Sequence, residues 1–405
     1  FIQVLRSKDL VKWEFIGWAF PEIPHEAVEW VRSHADGKGA TNIWAPYIIP
    51  FGDKYRLYYC VSAFGLKTSY IGLAESASPE GPWMQRGCVV KTDATSVMNA
   101  IDPSIIADSA TGKWWMHYGS FFGGLYCVEL NPETGLPVQE GDQGHLIARR
   151  ATYWKDNLEA PEIIYNPELK QYYLFVSYDP LMTTYNVRVG RSDKAEGPFV
   201  DYFGVELKNT TNNFPILTAP YRFNNHPGWA GTAHCAVFTS DEGQYFMAHQ
   251  GRLSPHNQMM DLHLRQVFFT SDGWPVVSPE RYTGSASRKF SAADIVGEWE
   301  IIRVQEPAYE RQLQAGQILW GEGQLKNEEW NVSCTLSLKK DGQLDENKGY
   351  WKFAERGQLL SLTLNGESVD NLLVFAGHDW ENETETVLFT GLDSRGRSVW
   401  GKRTK

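Results

Sequence analysis

Four segments of the chain repeat one grammar, and this repeat restricts the fold more than any other feature. Each segment opens on a short apolar stretch, passes a polar turn and ends in a run crowded with aromatics. The openings are Ala45-Pro46-Tyr47-Ile48-Ile49, Asp102-Pro103-Ser104-Ile105-Ile106, Ala160-Pro161-Glu162-Ile163-Ile164 and His234-Cys235-Ala236-Val237-Phe238. Runs such as Tyr55-Arg56-Leu57-Tyr58-Tyr59 and Tyr172-Tyr173-Leu174-Phe175 answer them, so each unit reads as a β-hairpin. The openings stand 57, 58 and 74 residues apart, the last interval carrying an insertion. A second phrase closes units: Ser76 to Trp83 and Ser192 to Phe199 both run through Glu-Gly-Pro into an aromatic ring, and Ser7 to Trp13 and Ser271 to Trp274 are looser copies.

A β-propeller blade takes roughly 40–50 residues before loop extensions, whereas a β-helix repeat is much shorter and a sandwich has no such period. The expectation is therefore an all-β chain whose first part is a propeller. The opening Phe1 to Asp9 carries a closing phrase, so it reads as the tail of a further unit, with its inner strand expected before Phe1. That count gives a five-bladed β-propeller over residues 1–285, with the first inner strand absent from this chain.

In a propeller the first strand of each blade lines the central channel. Trp44-Ala45, Asp102, Glu159-Ala160 and His234 head these strands and are expected to converge. A packed core has no need of Asp or Glu there, since buried charge is costly unless paired or used. A net charge of −11 argues against nucleic acid or an anionic membrane as partner, and no apolar run is long enough to span a bilayer. The aromatic content of 14% suits sugar stacking, although β-proteins also fill cores with rings, where most are expected. Cys60, Cys88, Cys127, Cys235 and Cys334 form no C-x-x-C pair, so no zinc or redox motif is read. There is no Gly-x-Ser-x-Gly elbow, phosphate loop or H-E-x-x-H pair; His226, His249, His256 and His263 are taken as ordinary histidines.

The phrases Trp44-Ala45-Pro46, Asn99-Ala100-Ile101-Asp102-Pro103, Tyr118-Gly119-Ser120-Phe121, Glu159-Ala160-Pro161 and Gly231-Thr232-Ala233-His234 resemble family 43 glycoside hydrolases, in particular endo-α-1,5-L-arabinanases. The resemblance runs over about residues 1–285. It implies inverting hydrolysis, in which one acid protonates the leaving oxygen and a carboxylate base activates water. Glu159 matches the family's general acid and Asp102 the residue that tunes its pKa. The family's base matches no residue here and is expected before Phe1, so this chain as given is expected to lack it. His234 matches a histidine that reaches a metal, usually Ca²⁺; the alternative is a histidine that hydrogen-bonds carboxylates and waters. Trp44 and Phe64 resemble sugar-stacking rings, with a covering loop aromatic as the other reading of Phe64. Asn99 and Ser120 resemble polar contacts to the sugar or the metal's waters, and Phe121 and Phe122 are expected to line the cleft. Glu162, three residues after Glu159, is expected on the other face as a second-layer or solvent-side residue. Tyr47 departs from the family, which often has an acid after Trp-Ala-Pro.

Small polar residues around Tyr282 to Ser287 read as a linker. Residues 292–405 then alternate in short runs, such as Cys334-Thr335-Leu336-Ser337-Leu338, and read as a small antiparallel β-barrel or sandwich. This resembles the C-terminal domain of two-domain arabinanases. Trp320, Trp330 and Trp351 are possible sugar platforms, with core packing the alternative. Three functions stay open: an endo-acting arabinan hydrolase; an exo-acting α-L-arabinofuranosidase or β-xylosidase on the same fold; and a non-catalytic carbohydrate-binding propeller. A monomer secreted from the cell or into the periplasm is expected, with arabinan or arabino-oligosaccharides as partner.

Overall fold

The computed structural model describes residues 1–151, 156–210, 212–307, 325–345 and 348–404; Trp320 lies outside them. The described chain is overwhelmingly β-structure and divides into two compact units. The first comprises Phe1–Lys8, Lys12–Ser177 and Gly190–Asn212, and the second Asp9–Val11, Tyr178–Val189 and Asn213–Lys405.

In the first unit β1 (Gln3–Ser7) and β2 (Trp13–Trp18) form an antiparallel pair, followed by helix α1 (His25–His34). A four-stranded sheet follows in chain order: β3 (Trp44–Phe51), β4 (Lys54–Ser62), β5 (Ser69–Ser76) and β6 (Met84–Thr92). The next sheet repeats that order with β7 (Ser104–Ala107), β8 (Trp114–Tyr118), β9 (Leu125–Leu130) and β10 (His145–Ala148). A third meander opens in this unit with β11 (Leu158–Asn166) and β12 (Gln171–Tyr178); of the strands that follow, β13 (Asn186–Ser192) begins in the second unit, where its Val187 and Arg188 pair with β14 (Ile216–Thr218). Each sheet is thus a meander whose first strand is the opening of one sequence repeat.

Strand β4 shows how the sequence builds the stack. Its side chains alternate between two cores, as a period of two requires. Tyr58 and Cys60 join Ile105, Trp114 and Met116 of the next sheet, whereas Leu57, Tyr59 and Val61 join Ala27 and Val31 of α1. Both faces are covered, so Leu57 to Ser62 are all buried. The closing phrases work alike in their two best copies. Gly81 and Gly197 have φ of 94° and 86°, and a Cβ on either would press against Trp83 or Phe199. Phe199 is buried edge-on to His117, with centroids 5.9 Å apart.

Helix α1 is not legible from periodicity. Its fully buried face is only Ala27 and Val31, and Pro24 at its N-cap makes no side-chain capping bond. It is held by packing rather than by local signals.

In the second unit β15 (Tyr221–Arg222), β16 (Trp229–Ala230), β17 (Ala236–Thr239), β18 (Tyr245–Leu253), β19 (Asp261–Phe269) and β20 (Pro275–Val277) centre on the β18–β19 hairpin. The short helix α2 (Ala292–Ile295) leads into β21 (Gly297–Arg303). After it come β22 (Asn331–Val332), which pairs with β15, then β23 (Cys334–Leu338), β24 (Gly349–Ala354), β25 (Leu359–Leu364), β26 (Glu367–Asp379), β27 (Thr384–Leu392) and β28 (Ser398–Arg403).

All but β22 of this last group, with β21, form one antiparallel sheet in the order β23-β21-β28-β27-β26-β25-β24. The sheet curls into a half-barrel, because Leu336 and Leu338 on one edge strand share a core with Trp351 on the other. Trp351 is therefore a core ring, donating Nε1–H to Lys339 O at 2.9 Å. Trp330 is buried too, with the Arg222 guanidinium 4.4 Å from its ring. Behind the half-barrel, Lys402 is fully buried, with Nζ 3.0 Å from Glu280 and 2.9 Å from Asp379 and also bonded to Glu381.

Candidate active site

The heads of the repeat openings share an unusual backbone. Ala45, Asp102, Ala160 and His234 have φ of 32°, 57°, 54° and 52°. Non-glycine residues rarely adopt this left-handed region, which costs about 1–3 kcal/mol and recurs where a side chain must be aimed. In β3 the effect on register is visible. Trp44 and Tyr47 are three apart, yet they pair with Cys60 and Tyr58, two apart. One residue is bulged out, so Trp44 and Tyr47 fall on one face.

In the first unit this backbone brings two acids together. Asp102 is buried, and its Oδ2 accepts the Ala160 N–H at 3.2 Å. Glu159, the preceding residue, is half-buried and its Oε2 accepts a 2.7 Å hydrogen bond from Ser120 Oγ. Burial pushes the Asp102 carboxyl well above the ordinary carboxylate range, the Glu159 charge pushes it further, and the Ala160 N–H opposes both. Glu159, beside it, is only half-buried and keeps contact with solvent. Cys60 lies against Asp102, and burial and the nearby acid push its thiol up. All five cysteines are free.

A loop fixes Ser120. Gly119 donates its N–H to Ile101 O at 2.8 Å, and Phe121 donates to Leu158 O at 2.8 Å, so residues 119–121 tie the head of β7 to the head of β11. Ser120 and Glu159 are bridge partners.

Below the acid pair lies a second polar tier, built from the residue two beyond each of the left-handed heads Ala45, Asp102 and Ala160. Ser104 Oγ donates to Glu162 Oε2 at 2.8 Å and accepts Ile163 N–H at 3.1 Å. The Tyr47 hydroxyl lies beside both Ser104 and Glu162; burial and the Glu162 charge push it above the usual phenol range. Glu162 is buried, so of its two expected placements the second-layer one is realised and the solvent-side one is not. The expectation of opposite faces assumed an unbroken alternation, and the left-handed Ala160 removes that assumption. Tyr47, Ser104 and Glu162 carried a signal that sequence reading passed over, namely the same offset in three successive repeats.

Trp44 is half-buried, with its ring centroid 6.2 Å from that of Phe64, which is 42% exposed. This pair offers apolar faces to solvent. Asn99 is buried, its Oδ1 taking a 2.6 Å hydrogen bond from Ser69 Oγ. Phe121 is only 5% exposed and sits at φ 53°, so its ring supports the loop. Phe122, at φ 37°, is the half-exposed ring.

His234 belongs to the second unit, where it is half-buried. Among the described residues, three acids lie close enough together to hold a cation at Glu280, Asp379 and Glu381, and Lys402 already supplies the positive charge there. His234 is not one of such a group.

A family model described as glycosyl hydrolases family 43 matches residues 1–275, and one described as a C-terminal lipocalin-like domain matches residues 279–401. The extracellular endo-α-(1→5)-L-arabinanase of Thermotoga petrophila is 29% identical, over 100% of this chain and 90% of that protein. The extracellular exo-α-(1→5)-L-arabinofuranosidase ArbA of Cellvibrio japonicus is 31% identical, over 71% of this chain and 83% of its own. The crystal structure of the endo-1,5-α-L-arabinanase from Thermotoga petrophila aligns with a TM-score of 0.84 at 28% identity, covering 100% of this chain and 94% of that one.

Proposed function

The chain belongs to glycosyl hydrolase family 43, and from that membership we propose that it is a secreted enzyme cleaving α-1,5-linked arabinan with inversion. In this reading the repeat units close into a five-bladed propeller, with a domain boundary between residues 285 and 292. The observation that carries the site is the buried Asp102, held on the Ala160 N–H beside Glu159.

An inverting cleavage needs a protonated acid at the leaving oxygen and a carboxylate at the attacking water. Glu159 takes the acid's part. It is the exposed member of the pair, and Ser120 fixes one of its oxygens. Asp102 sets the pair's proton affinity and does not face solvent itself. The base is assigned to no residue of this sequence. Trp44 and Phe64 supply the stacking faces, Asn99 and Ser120 polar contacts, and Phe121 backs the loop that carries Phe122.

His234 remains the proposed ligand of a Ca²⁺ ion. Ca²⁺ takes six to eight oxygens, and among the described residues His234 belongs to no cluster of three or more His, Cys, Asp or Glu. No step of the cleavage is routed through a cation there.

The test is a time course of the natural full-length protein on linear 1,5-arabinan. Early release of mixed oligosaccharides supports endo action. Monomer alone from the start transfers the site to an exo-acting arabinofuranosidase, and no release at all leaves a carbohydrate-binding protein. Glu159→Gln is expected to lower kcat at least about a hundredfold, the scale of general acid catalysis.

A further inference from the structure

The loop that presents Ser120 to Glu159 holds an unfavourable backbone. Phe121, Phe122, Gly123 and Gly124 have successive φ values of 53°, 37°, 105° and 96°. Two bulky residues in the left-handed region side by side do not stay there unless the surroundings enforce it. One wall of the enclosure is Val97, whose carbonyl oxygen would lie 2.1 Å from a Cβ placed on Gly123. The other is Asp156. Its Oδ2 accepts the Gly123 N–H at 2.9 Å, and its Oδ1 meets Arg149 Nε at 3.3 Å. Asp156 is itself left-handed, at φ 54°, and buried. It stands three residues before Glu159, so one short segment carries both the acid and the anchor of the loop that touches the acid.

We propose that Asp156 is a positioning residue for the general acid. By anchoring Gly123 it keeps the 121–124 turn closed, and the closed turn keeps Ser120 Oγ donating to Glu159 Oε2. Arg149 neutralises the anchor's charge and fixes its rotamer. The inference rests on reading Glu159 as the acid, and it adds a residue that touches neither Glu159 nor the reacting bond.

The experiment compares two substrates in the natural full-length protein. Linear 1,5-arabinan has a poor leaving group and needs the acid. A nitrophenyl α-arabino-oligosaccharide has a good leaving group and needs it little. The ratio of the two kcat values does not depend on what fraction of a variant folds. Asp156→Ala is expected to lower kcat on arabinan at least about tenfold, with KM nearly unchanged, and to leave the nitrophenyl substrate within about threefold, because a displaced acid costs only the step that uses it. Asp156→Asn keeps an oxygen for Gly123 and is expected to restore most of the arabinan rate. Glu159→Gln, run in parallel, should show the same selectivity more strongly. If it does while Asp156→Ala leaves the ratio unchanged, or if Asp156→Asn is as damaging as Asp156→Ala, the positioning role is overturned and the assignment of Glu159 stands. If Glu159→Gln itself shows no selectivity, that assignment is the one that fails.

Discussion

Asp102 and Ala160 occupy the same position in successive repeats, share a left-handed backbone, and are joined by one hydrogen bond, Ala160 N–H to Asp102 Oδ2 at 3.2 Å. The bond lets Asp102 stay buried next to Glu159 although its environment disfavours ionisation. A carboxyl whose folded pKa is raised weakens the fold once pH exceeds the unfolded value of about 3.9, because the unfolded chain loses its proton first. That loss grows until the folded pKa is passed.

Asp102→Asn should therefore raise the melting temperature at pH 7 and change it little at pH 3.5, while lowering kcat on arabinan. The asparagine retains an acceptor for Ala160. Thermal unfolding at the two pH values checks this; a gain of equal size at both would show that the ionisation of Asp102 is not its source.

The second tier is tested by Ser104→Ala. The change removes the hydroxyl that donates to the buried Glu162 and accepts the Ile163 N–H. Loss of a buried hydrogen-bonding partner costs about 1–3 kcal/mol. Urea denaturation should show a loss in that range, and Glu162→Gln, which keeps an oxygen toward Ser104, should lose less. Near-native stability in Ser104→Ala would mean that the tier holds nothing together.

Gly123→Ala and Gly112→Ala separate backbone strain from collision. Both glycines have positive φ, 105° and 73°, but a Cβ at Gly112 meets nothing within 4 Å. Gly112→Ala should cost about 1 kcal/mol. Gly123→Ala should cost clearly more and should also lower kcat, because Val97 blocks the Cβ and the loop must open. Equal stability losses in equilibrium unfolding would refute the enclosure of that loop.

In the second unit, Lys402→Met should destabilise by about 3–5 kcal/mol at pH 7, since it leaves Glu280, Asp379 and Glu381 buried without their cation. Burial already pushes Glu280 up to about 8 despite the lysine. The penalty should shrink as pH falls toward 4 and below: against the upward push of burial, Asn382 and Lys402 hold the Asp379 carboxyl below the usual carboxylate range, and that contribution is lost as the carboxyl takes up a proton. A denaturation midpoint that moves equally at both pH values would point to lost packing instead.

The repeat was readable because each opening keeps its apolar stretch and its aromatic answer, and these become β3 with β4, β7 with β8, and β11 with β12. Asp102 and Glu159 were readable because an acid at the head of an apolar strand has no structural excuse. Glu162 was half-read: counting residues along a strand presumes that every residue advances the pleat, and the left-handed backbone of Ala160 does not announce itself in an alanine. Asp156 gave no local signal, because its partner Gly123 is far off in sequence and is contacted through the backbone N–H, which every residue but proline carries. Helix α1 escaped for a related reason, since two small apolar residues do not make a stripe.

The left-handed head common to Ala45, Asp102, Ala160 and His234 has a consequence for redesign. The same turn of the main chain recurs at all four heads, so what each presents is set by the residue placed there. Ala160 is only 2% exposed while Ala45 is half-buried, so Ala45 is the head at which a polar tip can be fitted with less recutting of the scaffold.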